Sequence, residues 1–289
     1  MSVRSTIALL AKILGLTVVY FVCMMFGADL FVSIQLSLPP EQQTAGVLSF
    51  LLMALVCTSL LSAVILCSRW GGWRLMLALS FSYYGLQTFM AQIETAYFGP
   101  AFGVPSSDLP GLFAMSLPVI FIFIPLAVVV LGKGRQPAQS GEANPRLHMP
   151  AGEWLWKLAL IAVAYLVLYF GFGYFVAWQN PNLVAMYGGG TNPEVFNNAR
   201  LVPFQILRSG LWALFALPVI RMSRPGVWGT AVLIGLLYAL PMSIGLVSPN
   251  PYMPDASVRL SHFIEIITSN FLFGLIVTHL LLWRRKAAR

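Results

Sequence analysis

The residues best suited to chemistry lie in the last apolar stretch of the chain, 259–283. There Arg259, His262, Glu265, Ser269 and Asn270 interrupt a run that is otherwise compatible with lipid. His262 and Glu265 are three positions apart and Ser269 lies four beyond Glu265, so on a helix the three share one face. Two residues from elsewhere carry matching chemistry: Glu94 in the stretch 74–98 and Arg208 in the stretch 204–221. Ionisable groups at membrane depth are costly to desolvate, which makes each a functional position by default.

Three uses of this set are open at the level of sequence. In the first, Glu94, Arg208, Arg259, His262, Glu265 and Asn270 line a substrate-binding pocket in the outer half of a helical bundle. The arginines and the imidazole would hold the head of an anionic or amphipathic small molecule or lipid, and Leu-rich and aromatic helices would take its tail. In the second, His262, Glu265 and Glu94 bind a divalent metal that activates water for an intramembrane hydrolase or transferase. In the third, the same groups form a hydrogen-bonded network that fixes helix packing in a membrane scaffold.

The sequence names no catalytic residue. His-x-x-Glu is not the His-Glu-x-x-His of zinc peptidases, and His279 follows His262 by 17 residues, roughly 25 Å along a straight helix. Ser261 and Ser269 flank the histidine without a nucleophile elbow, and serines within helices commonly bond back to their own backbone. No glycine-rich nucleotide motif, redox cysteine pair or haem ligand set is present, so a metal under the second reading is the one cofactor suggested.

The elements that must position these residues are membrane spans. A chain of 289 residues that is 58% hydrophobic and 9% charged, with 20 Phe and 8 Trp, falls outside the composition of soluble domains. Eight apolar segments stand out, near 7–34, 46–67, 74–98, 112–132, 154–178, 204–221, 227–247 and 259–283. Most reach the roughly 20 residues that a spanning helix needs, and all are far longer than barrel strands. The expected fold is therefore an all-α, polytopic, eight-transmembrane-helix bundle.

If the eight segments alternate, 14 of the 17 basic residues fall on one side, among them Arg69, Arg74, Arg146, Arg221 and the tail Arg284-Arg285-Lys286. The opposite side holds Arg200, Arg208 and Arg259 against seven acidic residues. Both termini are thus expected in the cytoplasm, in a cell inner membrane, and the net charge of +8 is explained by topology without a nucleic-acid partner. Membrane lipids are the expected partners. Lys12 interrupts the first apolar run, which favours an uncleaved first span over a secretory signal. Cys23, Cys57 and Cys67 form no metal or disulfide pattern.

The Gly-, Pro- and Gln-rich stretch 133–153 reads as a cytoplasmic linker between a first four-helix half, 1–132, and a second, 154–289. Lys12 and Tyr20 are echoed by Lys157 and Tyr165, and Arg69 to Trp73 by Arg224 to Trp228, which suggests two parallel repeats. Within the third segment, Tyr84, Gln87, Ala91 and Glu94 are spaced to share one inward face. An inward Arg208 needs a carboxylate, and Glu94 or Glu265 is available at similar depth. Pro118 and Pro125 are expected to kink the fourth segment. The aromatic series Tyr165, Tyr169, Phe170, Tyr174, Phe175 and Trp178 is expected to pack or anchor the fifth. Asn192-Pro193-Glu194 fits the start of a short surface helix.

Overall fold

The computed structural model describes residues 3–32, 40–99, 104–135, 144–187, 199–249 and 253–283. The expected surface helix after Asn192 and the basic tail from Arg284 lie outside the described residues. Described residues are helical apart from turns and one isolated bridge. The α-helices are α1 (Val3–Phe31), α2 (Pro40–Leu66), α3 (Gly72–Tyr83), α4 (Met90–Phe98), α5 (Leu109–Ala114), α6 (Ile124–Val130) and α7 (Ala151–Phe175). The short α8 (Pro181–Met186) follows, then α9 (Leu201–Met222), α10 (Val227–Ser243) and α11 (Ala256–Leu282).

Seven helical stretches among the described residues are long and apolar enough to cross a membrane. Their outward faces are apolar as lipid-facing surfaces must be: Ile7, Leu10, Leu14, Val18 and Val22 follow one another at helical spacing along the exposed side of α1. The chain is a multi-pass helical membrane protein.

The expected third span is helical from Gly72 to Phe98 but is not among those seven, because its polar residues lower its hydropathy. Several of those residues find partners inside the bundle. Ser80 donates to the Ile120 carbonyl, Thr88 to the Ser116 hydroxyl, and the Tyr20 and Tyr83 hydroxyls meet at 2.6 Å. The exposed face of α3, at Trp73, Leu77 and Phe81, stays apolar, so the polar residues are confined to the sides that meet other helices.

The expected single polar face of this segment is also split. A π-turn over Tyr84–Phe89 joins α3 to α4 and rotates the register between them. Tyr84 consequently donates to the Phe113 carbonyl, while Glu94, one turn into α4, faces α9. A second π-turn, Val119–Phe123, follows Pro118 where the kink is expected.

The two halves pack as one bundle. α9 lies against α7 and α3, and α10 against α2 and α11. At the α10–α11 crossing, a Cβ placed on Gly274 would stand 2.6 Å from the Gly235 Cα, so only paired glycines allow the helices this close. At the end of the bundle bearing Arg69 and Arg224, the two echoed turns bind each other. Arg69 N–H donates to the Met222 carbonyl at 2.7 Å and Arg224 N–H to the Cys67 carbonyl at 2.9 Å, flanking the Ser68–Ser223 bridge. Lys133 Nζ closes the same region on the Ser68 carbonyl, where burial, and then Arg224, hold its ammonium below the ordinary lysine range.

Candidate functional site

α11 carries the polar series and owes its start to Asp255, whose carboxylate accepts from the backbone N–H groups of Ser257 and Val258. α8 is fastened beside it. Asn180 caps α8 through its side-chain oxygen and reaches Ser261 with its amide nitrogen at 2.9 Å, while Asn182 reaches Asp255 at 2.9 Å. The Asn180-Pro181 pair is the same start signal that the sequence shows at Asn192-Pro193.

One turn further in, His262 Nδ1 and Glu265 Oε2 lie 3.2 Å apart, as their spacing requires. His262 Nε2 is buried and has no protein partner. Opposite, Arg208 of α9 meets Glu94 of α4 in a two-pronged pair, Nη1 to Oε1 at 3.1 Å and Nη2 to Oε2 at 2.7 Å. Gln205, one turn before, accepts from Nη1 at 3.0 Å, and the guanidinium carbon stands 5.8 Å from the Tyr165 ring centre.

These pairs share the walls of one cavity of about 510 Å³ between α4, α7, α9 and α11. Glu94, Arg208, His262, Glu265 and Asn270 all line it, and Ser269 lies beside them. Asn270 donates to the Tyr238 carbonyl at 3.4 Å, and Ser269 bonds back to Ile266. Most of the aromatic series of α7 joins the wall: Tyr165, Tyr169, Phe170, Tyr174 and Trp178. That series is a cavity lining as well as packing, while Phe175 is exposed.

Arg259 stands apart. Its guanidinium donates to the carbonyls of Met253 and Pro254, both at 2.7 Å, and it is not part of the cavity wall. It sits at the first turn of α11, where loop carbonyls without helical partners offer nearer acceptors than the cavity does.

No protein-family model, curated protein or solved structure matches the chain. What the site can do rests on its own chemistry.

The geometry gives the metal reading no ligand set. Among the described residues, no group of three or more His, Cys, Asp or Glu is placed to hold an ion, and Glu94 spends both oxygens on Arg208. A general-base role for His262 lacks access, because its second nitrogen is shielded.

Sequence reasoning missed Gln205, Gly173 and Tyr187. Gln205 precedes Arg208 by three positions, the spacing at which a helical neighbour supports a side chain. Gly173 gave no signal. Tyr187 closes the outer wall, its ring 5.7 Å from Trp178 and 6.3 Å from His262. Burial, with Glu94 next in weight, pushes its phenol well above the usual range, so Tyr187 is a neutral hydroxyl there.

Proposed function

We propose that this protein is an eight-span inner-membrane protein, both termini cytoplasmic, that binds or transports an amphipathic small molecule or lipid in the cavity between α4, α7, α9 and α11. The observation that carries this reading is the cavity itself. A space of about 510 Å³ with mainly apolar and aromatic walls and a few convergent polar groups has the size and make-up of a ligand site. The Arg208–Glu94 ion pair and the His262–Glu265 contact offer a place for a polar head, and Leu168, Phe170 and Phe273 offer a place for a tail. A network that served packing alone would be filled by its own side chains.

The eighth span is the helical stretch from Gly72 to Phe98, and the charge asymmetry of the loops sets the orientation. The two halves are parallel repeats. The reciprocal bonds of the Arg69 and Arg224 turns support this, as does a shared contact: Tyr20 of α1 meets Phe123 at 5.1 Å as Tyr165 of α7 meets Phe273 of α11 at 4.8 Å. The Arg208–Glu94 and His262–Glu265 contacts share one cavity, so the duplicated scaffold carries one specialised site.

The test is native mass spectrometry of the protein released from a mild non-ionic detergent, beside Gly173→Leu. A Cβ on Gly173 fits, 3.9 Å from Glu265 Oε1 and from the Trp178 ring, and the longer leucine side chain enters the cavity. A discrete adduct on the native protein that the variant lacks is expected. Identical adducts on both would overturn the reading.

A further inference from the structure

From the charges of the cavity wall we infer that the preferred head is an ammonium cation, seated between the Glu265 carboxylate and the rings of Trp178 and Tyr187. This rests on the cavity being a ligand site and goes beyond it by fixing the sign of the ligand. The charge of Arg208 is already met by Glu94, to which both its terminal nitrogens are bonded; its Nε has no protein partner but is buried, and the side chain is only 3% exposed. The second arginine expected to attract an anion, Arg259, is turned to loop carbonyls outside the cavity.

What remains is Glu265. One of its oxygens bonds His262, and the other lies on the cavity side near Gly173 and Trp178. Among the described residues, Arg208 is offset by Glu94, and Glu265 is the wall carboxylate without a lysine or arginine partner. An anion brought here would be desolvated beside a carboxylate, which is strongly unfavourable in a low-dielectric site.

A cation gains the opposite. Trp178 and Tyr187 form a contiguous aromatic wall beside His262, and Tyr165 and Tyr169 line the same cavity as Glu265. Aromatic faces next to a carboxylate are the recognised arrangement for alkylated ammonium groups. The apolar remainder of the cavity takes the chain attached to that head.

The experiment measures equilibrium binding of decyltrimethylammonium and decyl sulfate, each below its micelle concentration, to the full-length protein in neutral lipid nanodiscs. Native protein is expected to bind the ammonium probe at least about tenfold more tightly than the sulfate. Glu265→Gln is expected to erase that preference and Glu265→Asp to keep it, each checked for monodispersity and helical content. Equal affinities for the two probes, or tighter sulfate binding, would overturn the inference while leaving the cavity as a site if Gly173→Leu abolishes both. Binding indifferent to Gly173→Leu would overturn the cavity reading itself, and this inference with it. Competition by dihexanoylphosphatidylcholine would support a zwitterionic lipid as the source of the head; its failure to compete would support a free ammonium amphiphile.

Discussion

Arg208 and Glu94, 114 positions apart in the chain, hold each other by two parallel bonds of 3.1 and 2.7 Å and thereby tie α9 to α4 beside the cavity. The pair is asymmetric. The Arg208 side chain is 3% exposed and that of Glu94 27%. Removing the carboxylate strands a charge that water cannot reach, whereas removing the arginine leaves a carboxylate that can still be hydrated. Glu94→Gln is therefore expected to cost roughly 3–5 kcal/mol and Arg208→Met less, with the double variant losing less than the sum. Thermal unfolding of the four proteins in one detergent checks this, and an inverted order of the single variants would refute it.

Lys157 is fully buried and works as the terminal clasp of α11. Its ammonium donates to the carbonyls of Leu281 and Trp283, the latter at 2.7 Å, and pairs with Glu153 at 2.7 Å. Those carbonyls are helix-end acceptors without partners of their own. Lys157→Met is expected to destabilise the protein by about 2 kcal/mol, through loss of charge-assisted bonds. Faster hydrogen exchange should be confined to the last turn of α11. Uniformly accelerated exchange would instead mean a global role.

Asp255 gives the N-terminal end of α11 a dependence on acid. Hydrogen bonds from the Ser257 hydroxyl, then from backbone N–H groups and Asn182, hold its carboxyl below the usual range. A depressed folded value contributes stability above the ordinary aspartate range, and that contribution is lost as pH falls through the folded value. The native protein should lose stability on acidification in that window, and Asp255→Ala should show a flatter profile there. Unfolding midpoints measured across mildly to strongly acidic buffers decide it.

The orientation is open to a labelling test. With Cys23, Cys57 and Cys67 replaced, single cysteines at Arg135 and Gln179 should react with an impermeant maleimide from opposite faces of the membrane. Reaction of both from one face would remove the eight-span topology, because an odd number of crossings separates these positions only if Ala151–Gln179 is a true span.

Much of the fold was legible in the sequence because lipid imposes a one-dimensional rule: about 20 apolar residues make a span wherever they occur. The rule is least decisive at Gly72–Phe98, which is helical but too polar to stand among the seven most apolar stretches. Within the site, the His262–Glu265 contact follows from spacing on one helix, whereas an inward Arg208 requires a carboxylate and the sequence leaves Glu94 and Glu265 equally available; the structure pairs it with Glu94. Arg259 was misplaced since residue type and depth do not reveal a competing acceptor, here the Met253 and Pro254 carbonyls. The π-turn at Tyr84–Phe89 was equally hidden. It changes which side of α4 faces inward by inserting one residue into a turn, and no residue type announces it.

The central claim is that an amphiphile occupies the space enclosed by α4, α7, α9 and α11. The most direct measurement is photolabelling in membranes with an alkylammonium amphiphile carrying a diazirine on its chain, followed by mapping of the modified residues. Labels concentrated on the inner wall, at Leu168, Phe170, Trp178 and Phe273, saturating near one per protein and lost in Gly173→Leu, are the expected result. Labels spread over the outward faces, at Leu10, Leu14 and Val18, with none on the wall, would show that the amphiphile meets this protein only as surrounding lipid.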